Sequence, residues 1–168
     1  MDRAELQAVQ KPLKERYREE PTAALVTLRA QGQLDEEKIA CKVETGRALV
    51  EAGLHPATGG TGALACSGDM LLEALVACAG VTLRSVATSM ELDVSGSVRA
   101  EGDLDFRGTL GVDRETPVGF AEIRLRFDLA SDEEEASLQK LMELTERYCV
   151  VFQTLAGGVP ITLSYSIS

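Results

Sequence analysis

The chain has 168 residues, enough for one domain with a sizeable core. Its 17 Lys and Arg stand against 27 Asp and Glu, a net charge of −10, which argues against nucleic acid and anionic membrane surfaces as partners. Four Cys, a single His and no CxxC pair argue against a structural zinc site.

The N-terminus, MDRAELQ, has no apolar signal core, so the expected location is the cytoplasm. There, cysteines are reduced, catalytic or inert rather than structural disulfides. Residues 2–20 are charged, with Leu6, Val9, Leu13 and Tyr17 at helical spacing. We read residues 1–21 as a helical arm on a single domain, 1–168, with Pro12 kinking or splitting the helix.

After Pro21 the period changes to two. Ala24, Val26 and Leu28 alternate with Leu25, Thr27 and Arg29. Residues 31–37 read as a polar turn, and Ile39, Cys41 and Val43 alternate on the far side of it, which gives a β-hairpin. Residues 46–51 can continue as a third strand. A Gly-, Pro- and Thr-rich loop with His55 then leads to the central stretch.

That stretch, residues 67–91, opens with Ser67 and Asp69, residue types that cap a helix and suit the positive end of its dipole. Residues 70–83 are apolar or small except Glu73 and Thr82, the pattern of a helix buried on most faces. Glu73 and Arg84 bound a run shorter than the ~20 residues of a membrane span. Cys78 lies in its middle.

Beyond it, residues 94–106 and 120–129 alternate as strands. The second has Ala121, Ile123, Leu125, Phe127 and Leu129 inward and Glu122, Arg124, Arg126 and Asp128 outward. Ser131 with Glu134 has the form of a capping box. It starts a helix reaching about Tyr148, with an inner stripe of Leu138, Leu141, Met142, Thr145 and Tyr148, and Cys149 follows directly. Val159, Ile161, Leu163, Tyr165 and Ile167 read as a closing strand. Strands and helices in separate blocks indicate an α+β fold with antiparallel sheets. A central helix apolar nearly all round needs more cover than one small sheet gives, which indicates a dimer.

Any thiol chemistry must come from a thiolate. Cys78 lies about two and a half turns after Asp69, beyond the reach of the helix dipole, and burial raises a thiol's pKa. Reaction at Cys78 therefore requires a cation, and Arg is the expected donor. The residues alone leave Cys78 open between a core residue and a reactive thiol. Cys66, just before the helix cap, is open between an incidental thiol and an alternative resolving one.

The stretch from Asp69 through Leu71-Leu72-Glu73-Ala74-Leu75-Val76-Ala77-Cys78 to Val81-Thr82-Leu83-Arg84 resembles the central helix of the OsmC/Ohr family (osmotically induced and organic hydroperoxide resistance proteins), as its OsmC-like branch. Cys149 with the following Val150-Val151-Phe152-Gln153-Thr154-Leu155 and Val159-Pro160-Ile161-Thr162-Leu163 is similar to the family's second signature, and Pro56 with Gly59-Gly60 to its loop before the helix. The likeness runs from about residue 22 to the end. It implies an intertwined homodimer with antiparallel sheets around a long buried central helix. It also implies a thiol-dependent peroxidase of oxidative stress, with no metal or bound organic cofactor. Cys78 would form a sulfenic acid with an organic hydroperoxide, Cys149 would resolve it as a disulfide, and an external dithiol, a lipoylated protein in some members, would reduce both. Asp69 stands where the family often has a Glu that holds an Arg against the thiolate, with Glu73 as the alternative. Arg29 is nearest the family's Arg, ahead of Arg47, Arg16 and Arg18. Val150 follows Cys149 where the family often has Pro. The rival readings on the same scaffold are a non-catalytic protein binding a small apolar ligand and a redox sensor.

Overall fold

The computed structural model describes residues 2–25, 27, 31–34, 40–44 and 49–167. Helix α1 (Arg3–Glu19) starts in a capping box: the Asp2 carboxylate accepts the Glu5 amide at 2.8 Å, and Glu5 accepts the Asp2 amide at 2.9 Å. Pro12 does not split α1, which runs through it. None of its residues is buried, so it is an arm rather than a core element. A 3₁₀ turn follows over Pro21–Ala24, where alternation suggested a strand already under way. Val26, Leu28, Arg29 and Arg47 lie outside the described residues.

Strands β1 (Gln31–Leu34), β2 (Ala40–Glu44), β3 (Leu49–Gly53) and β4 (Ala65–Cys66) form one sheet in that order. The first two pairings are antiparallel and β3–β4 is parallel, so the sheet is not purely antiparallel. Residues 31–34, expected in a turn, are strand: a polar segment pairs as readily as an apolar one when a neighbour meets its backbone groups.

Helix α2 (Ser67–Met90) starts one step earlier than its side chains suggest. Cys66 is the N-cap, and no side chain caps the first turn. By length and composition alone α2 could cross a membrane. Here its buried face, Leu75, Ala79, Leu83 and Ala87, repeats every four residues and packs against other elements. The opposite side of the helix, with Ala74, Ala77 and Val81, is exposed within the chain, Val81 by 72%.

The elements beneath α2 are the hairpin of β5 (Ser95–Asp103) and β6 (Glu122–Ala130), and helices α4 (Glu135–Tyr148) and α5 (Val150–Gly157), with a short α3 (Phe106–Thr109) between the strands. In the β5–β6 register Val98 faces Phe127, Ala100 faces Leu125 and Gly102 faces Ile123, which builds the inner face. The outer face pairs charges across the ladder, with Arg124 donating to Asp103 at 2.9 Å and Arg99 3.4 Å from Asp128. Gly102 is required: a Cβ there would lie 2.6 Å from the Phe120 ring. The central core cluster is Leu83, Ala87, Val94 and Leu141, flanked by Phe127, Leu129, Leu138 and Met142.

Ser131 does not cap α4. Its hydroxyl donates to the Asp93 carbonyl at 2.7 Å, and Glu134 takes the N-cap position. Leu141 and Thr145 are buried as the stripe requires, but Tyr148 is 59% exposed, with the Arg147 guanidinium over its ring. The chain then turns at Cys149 directly into α5. The final segment is not a strand within the chain. Ile161, Leu163, Tyr165 and Ile167 are 84–91% exposed, and no strand among the described residues pairs with them.

Candidate functional site

Where α5 begins, two helices bring two thiols together. Cys78 comes from the middle of α2, and Cys149 sits at the junction of α4 and α5 as C-cap of one and N-cap of the other. The Cys149 amide donates to the Thr145 carbonyl at 3.0 Å, and the Gln153 amide donates to the Cys149 carbonyl at 2.9 Å. Both bonds hold the residue in an extended kink, φ −74 and ψ 105, between two helical ladders. Cys149 is 1% exposed, and Cys78 is half-buried.

The first amides of a helix have no partner inside it. In α5 those amides point at the sulfurs. Burial pushes the Cys78 thiol up, but the Val151 amide, the Cys149 thiol, the Val150 amide and the Thr82 hydroxyl all donate to its sulfur. Together they outweigh burial and hold its pKa below the ordinary thiol value. Cys149 moves the other way. Burial raises it, and so do the hydrogen bond to Cys78 and the neighbouring negative charge, against the amides of Phe152 and Val151. The pair is thus asymmetric, with Cys78 the readier thiolate and Cys149 the donor beside it.

This polarisation does not come from the start of α2, nor from a cation among the described residues. Asp69 is exposed in the first turn of α2, about 13 Å along the axis from Cys78, and makes no hydrogen bond or ion pair among the described residues. Arg29 lies outside the described residues, as does Arg47. Arg16 pairs with Glu20 at the C-terminal end of α1, and Arg84 donates to the Val94 carbonyl at 2.6 Å. The sole histidine is structural: His55 Nδ1 accepts the Ala57 amide at 3.0 Å and its ring stacks on Phe106 at 4.9 Å. No group of three His, Cys, Asp or Glu among the described residues is arranged to hold a metal.

Three contributors escaped the sequence reading: the amides of Val150 and Val151, and Thr82. Thr82 was findable, since it lies four residues after Cys78 on the same helical face. The amides were not, because nothing in Cys-Val-Val-Phe marks a helix start.

An apolar groove of ≈ 590 Å³ reaches the site from one side. Leu125, Phe127, Leu138, Met142 and Phe152 line it, and Cys149 lies in its wall.

Residues 60–164 match the family model described as OsmC-like protein. Comparison with curated proteins returns no match. Among solved structures, the fold is similar to that of an OsmC-like protein from Mycoplasma pneumoniae, at 17% identity over 79% of this chain and 89% of that one, with a TM-score of 0.65. It is similar to an organic hydroperoxide resistance protein from Elizabethkingia anophelis, at 18% identity over 80% and 91%, TM-score 0.63. A Legionella pneumophila organic hydroperoxide resistance protein, OsmC, matches at 20% identity over 86% and 99%, TM-score 0.57. These likenesses establish a shared mixed α+β fold.

Proposed function

The chain belongs to the OsmC-like protein family, and we propose that within it the protein is a thiol-dependent peroxidase reducing organic hydroperoxides. The observation that carries this reading is the contact between the Cys78 and Cys149 thiols beneath the first amides of α5. The Cys78 thiolate attacks the distal peroxide oxygen, the O–O bond breaks and the alcohol leaves, so that Cys78 becomes a sulfenic acid. The Cys149 sulfur then attacks Cys78, hydroxide leaves as water, and a disulfide forms. An external dithiol returns both thiols and is itself oxidised to a disulfide. Arg29, held by Asp69, is the proposed cation of the site, and the reducing cytoplasm the proposed location.

We take the working form to be a homodimer. Val81 and the alternating Ile161, Leu163, Tyr165 and Ile167 are apolar side chains left exposed in a single chain, and a second copy is the simplest cover for them.

The test is peptide mass spectrometry after one equivalent of cumene hydroperoxide is added to the reduced protein. A rapid Cys78–Cys149 disulfide is expected. Free thiols beside persisting peroxide would end this reading and turn attention to a ligand-binding protein.

A further inference from the structure

We propose that the reductant enters at Cys149, through the apolar groove beside it, and that the acidic mouth of this groove favours uncharged or cationic dithiols over anionic ones. The inference deepens the two-cysteine reading and needs from it only that the Cys78–Cys149 disulfide can form.

Cys149, itself buried, lies in the wall of this groove, and Cys78 is not among the residues that line it. Its ≈ 590 Å³ falls within the range of small-molecule sites, roughly 300–1,000 Å³. The aliphatic and aromatic walls suit a dithiol carried on a hydrocarbon chain.

In thiol–disulfide exchange the sulfur expelled faster is the one with the more stable thiolate. Cys78 is that sulfur, since the Val150 and Val151 amides and Thr82 receive its charge. Attack at Cys149 therefore breaks the bond in the favoured direction. One thiolate of the reductant bonds to Cys149 Sγ, and Cys78 leaves as a thiolate. The second thiol of the reductant, deprotonated, attacks its own sulfur in the mixed disulfide and expels Cys149, which takes up a proton. The protein gains two electrons, and the reductant departs as a cyclic disulfide.

Glu135, Glu143 and Glu146 are exposed where the groove meets solvent. Lys140 pairs with Glu143 at 2.8 Å, which leaves Glu135 and Glu146 with no cation partner among the described residues. A carboxylate on the incoming dithiol meets these two like charges as well as a chain of net charge −10.

The test starts from full-length protein oxidised with diamide, which makes the disulfide without peroxide. Loss of peroxidase activity and loss of the entry route are then separate results. Dihydrolipoamide, uncharged, is expected to reduce the disulfide roughly tenfold faster than dihydrolipoate, its anionic counterpart. The double variant Glu135→Gln/Glu146→Gln should bring that ratio close to one. A brief 2-mercaptoethanol pulse, acid quench and alkylation should place the mercaptoethanol adduct on the Cys149 peptide and the alkyl group on Cys78. An adduct on Cys78 would overturn the proposal. So would equal rates for the two dithiols, as a groove closed by a second copy would give, or failure of diamide to form the bridge.

Discussion

Two helices of this protein begin at a cysteine. Cys66 is the N-cap of α2 and Cys149 the N-cap of α5, and neither caps its helix with its side chain. Cys66 packs locally: a Cβ on Gly68 would lie 3.6 Å from its sulfur, with Phe120 and Leu104 alongside. The next thiol on its helix, Cys78, is about 18 Å further along the axis. Cys149 instead has Cys78 against it, brought in from a different helix, and both sulfurs share the first amides of α5. A helix start is thus not a thiol site in itself. It becomes one when a second element delivers a sulfur onto the unpaired amides.

The sharpest way to break this comparison is to exchange the nucleophile. Cys78→Ser is expected to drop peroxide consumption to the uncatalysed rate, because a serine hydroxyl is not ionised by amide donors of this strength. Cys66→Ser, measured in the same assay, should stay within roughly twofold of the parent. A large loss in Cys66→Ser would mean that the two cysteine caps do related work.

The next effect is on turnover rather than on the first reaction. In Cys149→Ser the hydroxyl can still donate to Cys78, so the first equivalent of peroxide should be consumed and the reaction should then stall at the sulfenic acid. Peroxide stoichiometry, with dimedone labelling of Cys78, reads both halves of that expectation. Continued turnover in the variant would assign resolution to another thiol.

The same contrast separates what the sequence states plainly from what it hides. Helices α2 and α4 are legible because their apolar residues recur at helical spacing over many turns and nothing contradicts them. The two strands of the β5–β6 hairpin are legible for the matching reason at period two, down to the charges on their outer face. Both cysteine caps are hidden, since Cys is not a capping residue and its role is fixed by where neighbouring helices end. α5 is hidden for a further reason: two β-branched valines open it, and its short run packs against α2 rather than standing on propensity. Ser131 shows the converse, a local capping signal spent before the helix: its hydroxyl donates to the Asp93 carbonyl and accepts the Glu133 amide at 3.2 Å, and α4 starts later, at Glu135. The alternation of residues 159–167 is plain, but none of the described strands pairs with it.

The asymmetry of the thiol pair depends on the packing that fixes the α4–α5 junction. Leu141 is fully buried in the core cluster and lies two turns before Cys149 on the same face. Leu141→Ala should cost about 2–5 kcal/mol, since the cavity it leaves is walled by α2 and β6 and collapses only in part. Urea denaturation of the reduced protein would show this as a lower midpoint at unchanged slope. A smaller slope instead would mean that the junction loosens before the rest unfolds.

The finest test removes a single amide. Val150 is the first residue of α5, where an amide has no partner within the helix and Pro is accepted. Cys149 already has the extended backbone that a residue before Pro requires. Val150→Pro should therefore keep the helix while deleting one donor to Cys78. It also restores the residue that the family often has at this point. The reactive form is the thiolate, so the low pKa of Cys78 sets the midpoint of its alkylation rate below that of an ordinary thiol. Removing a donor must move that midpoint upward. The iodoacetamide rate should fall below the midpoint and hold well above it. An unchanged midpoint would shift the source of polarisation from α5 to a cation such as Arg29. A loss of the same factor at every pH would show a displaced helix instead. Only an upward shift at constant plateau fits two amides sharing the task, with Val151 still in place.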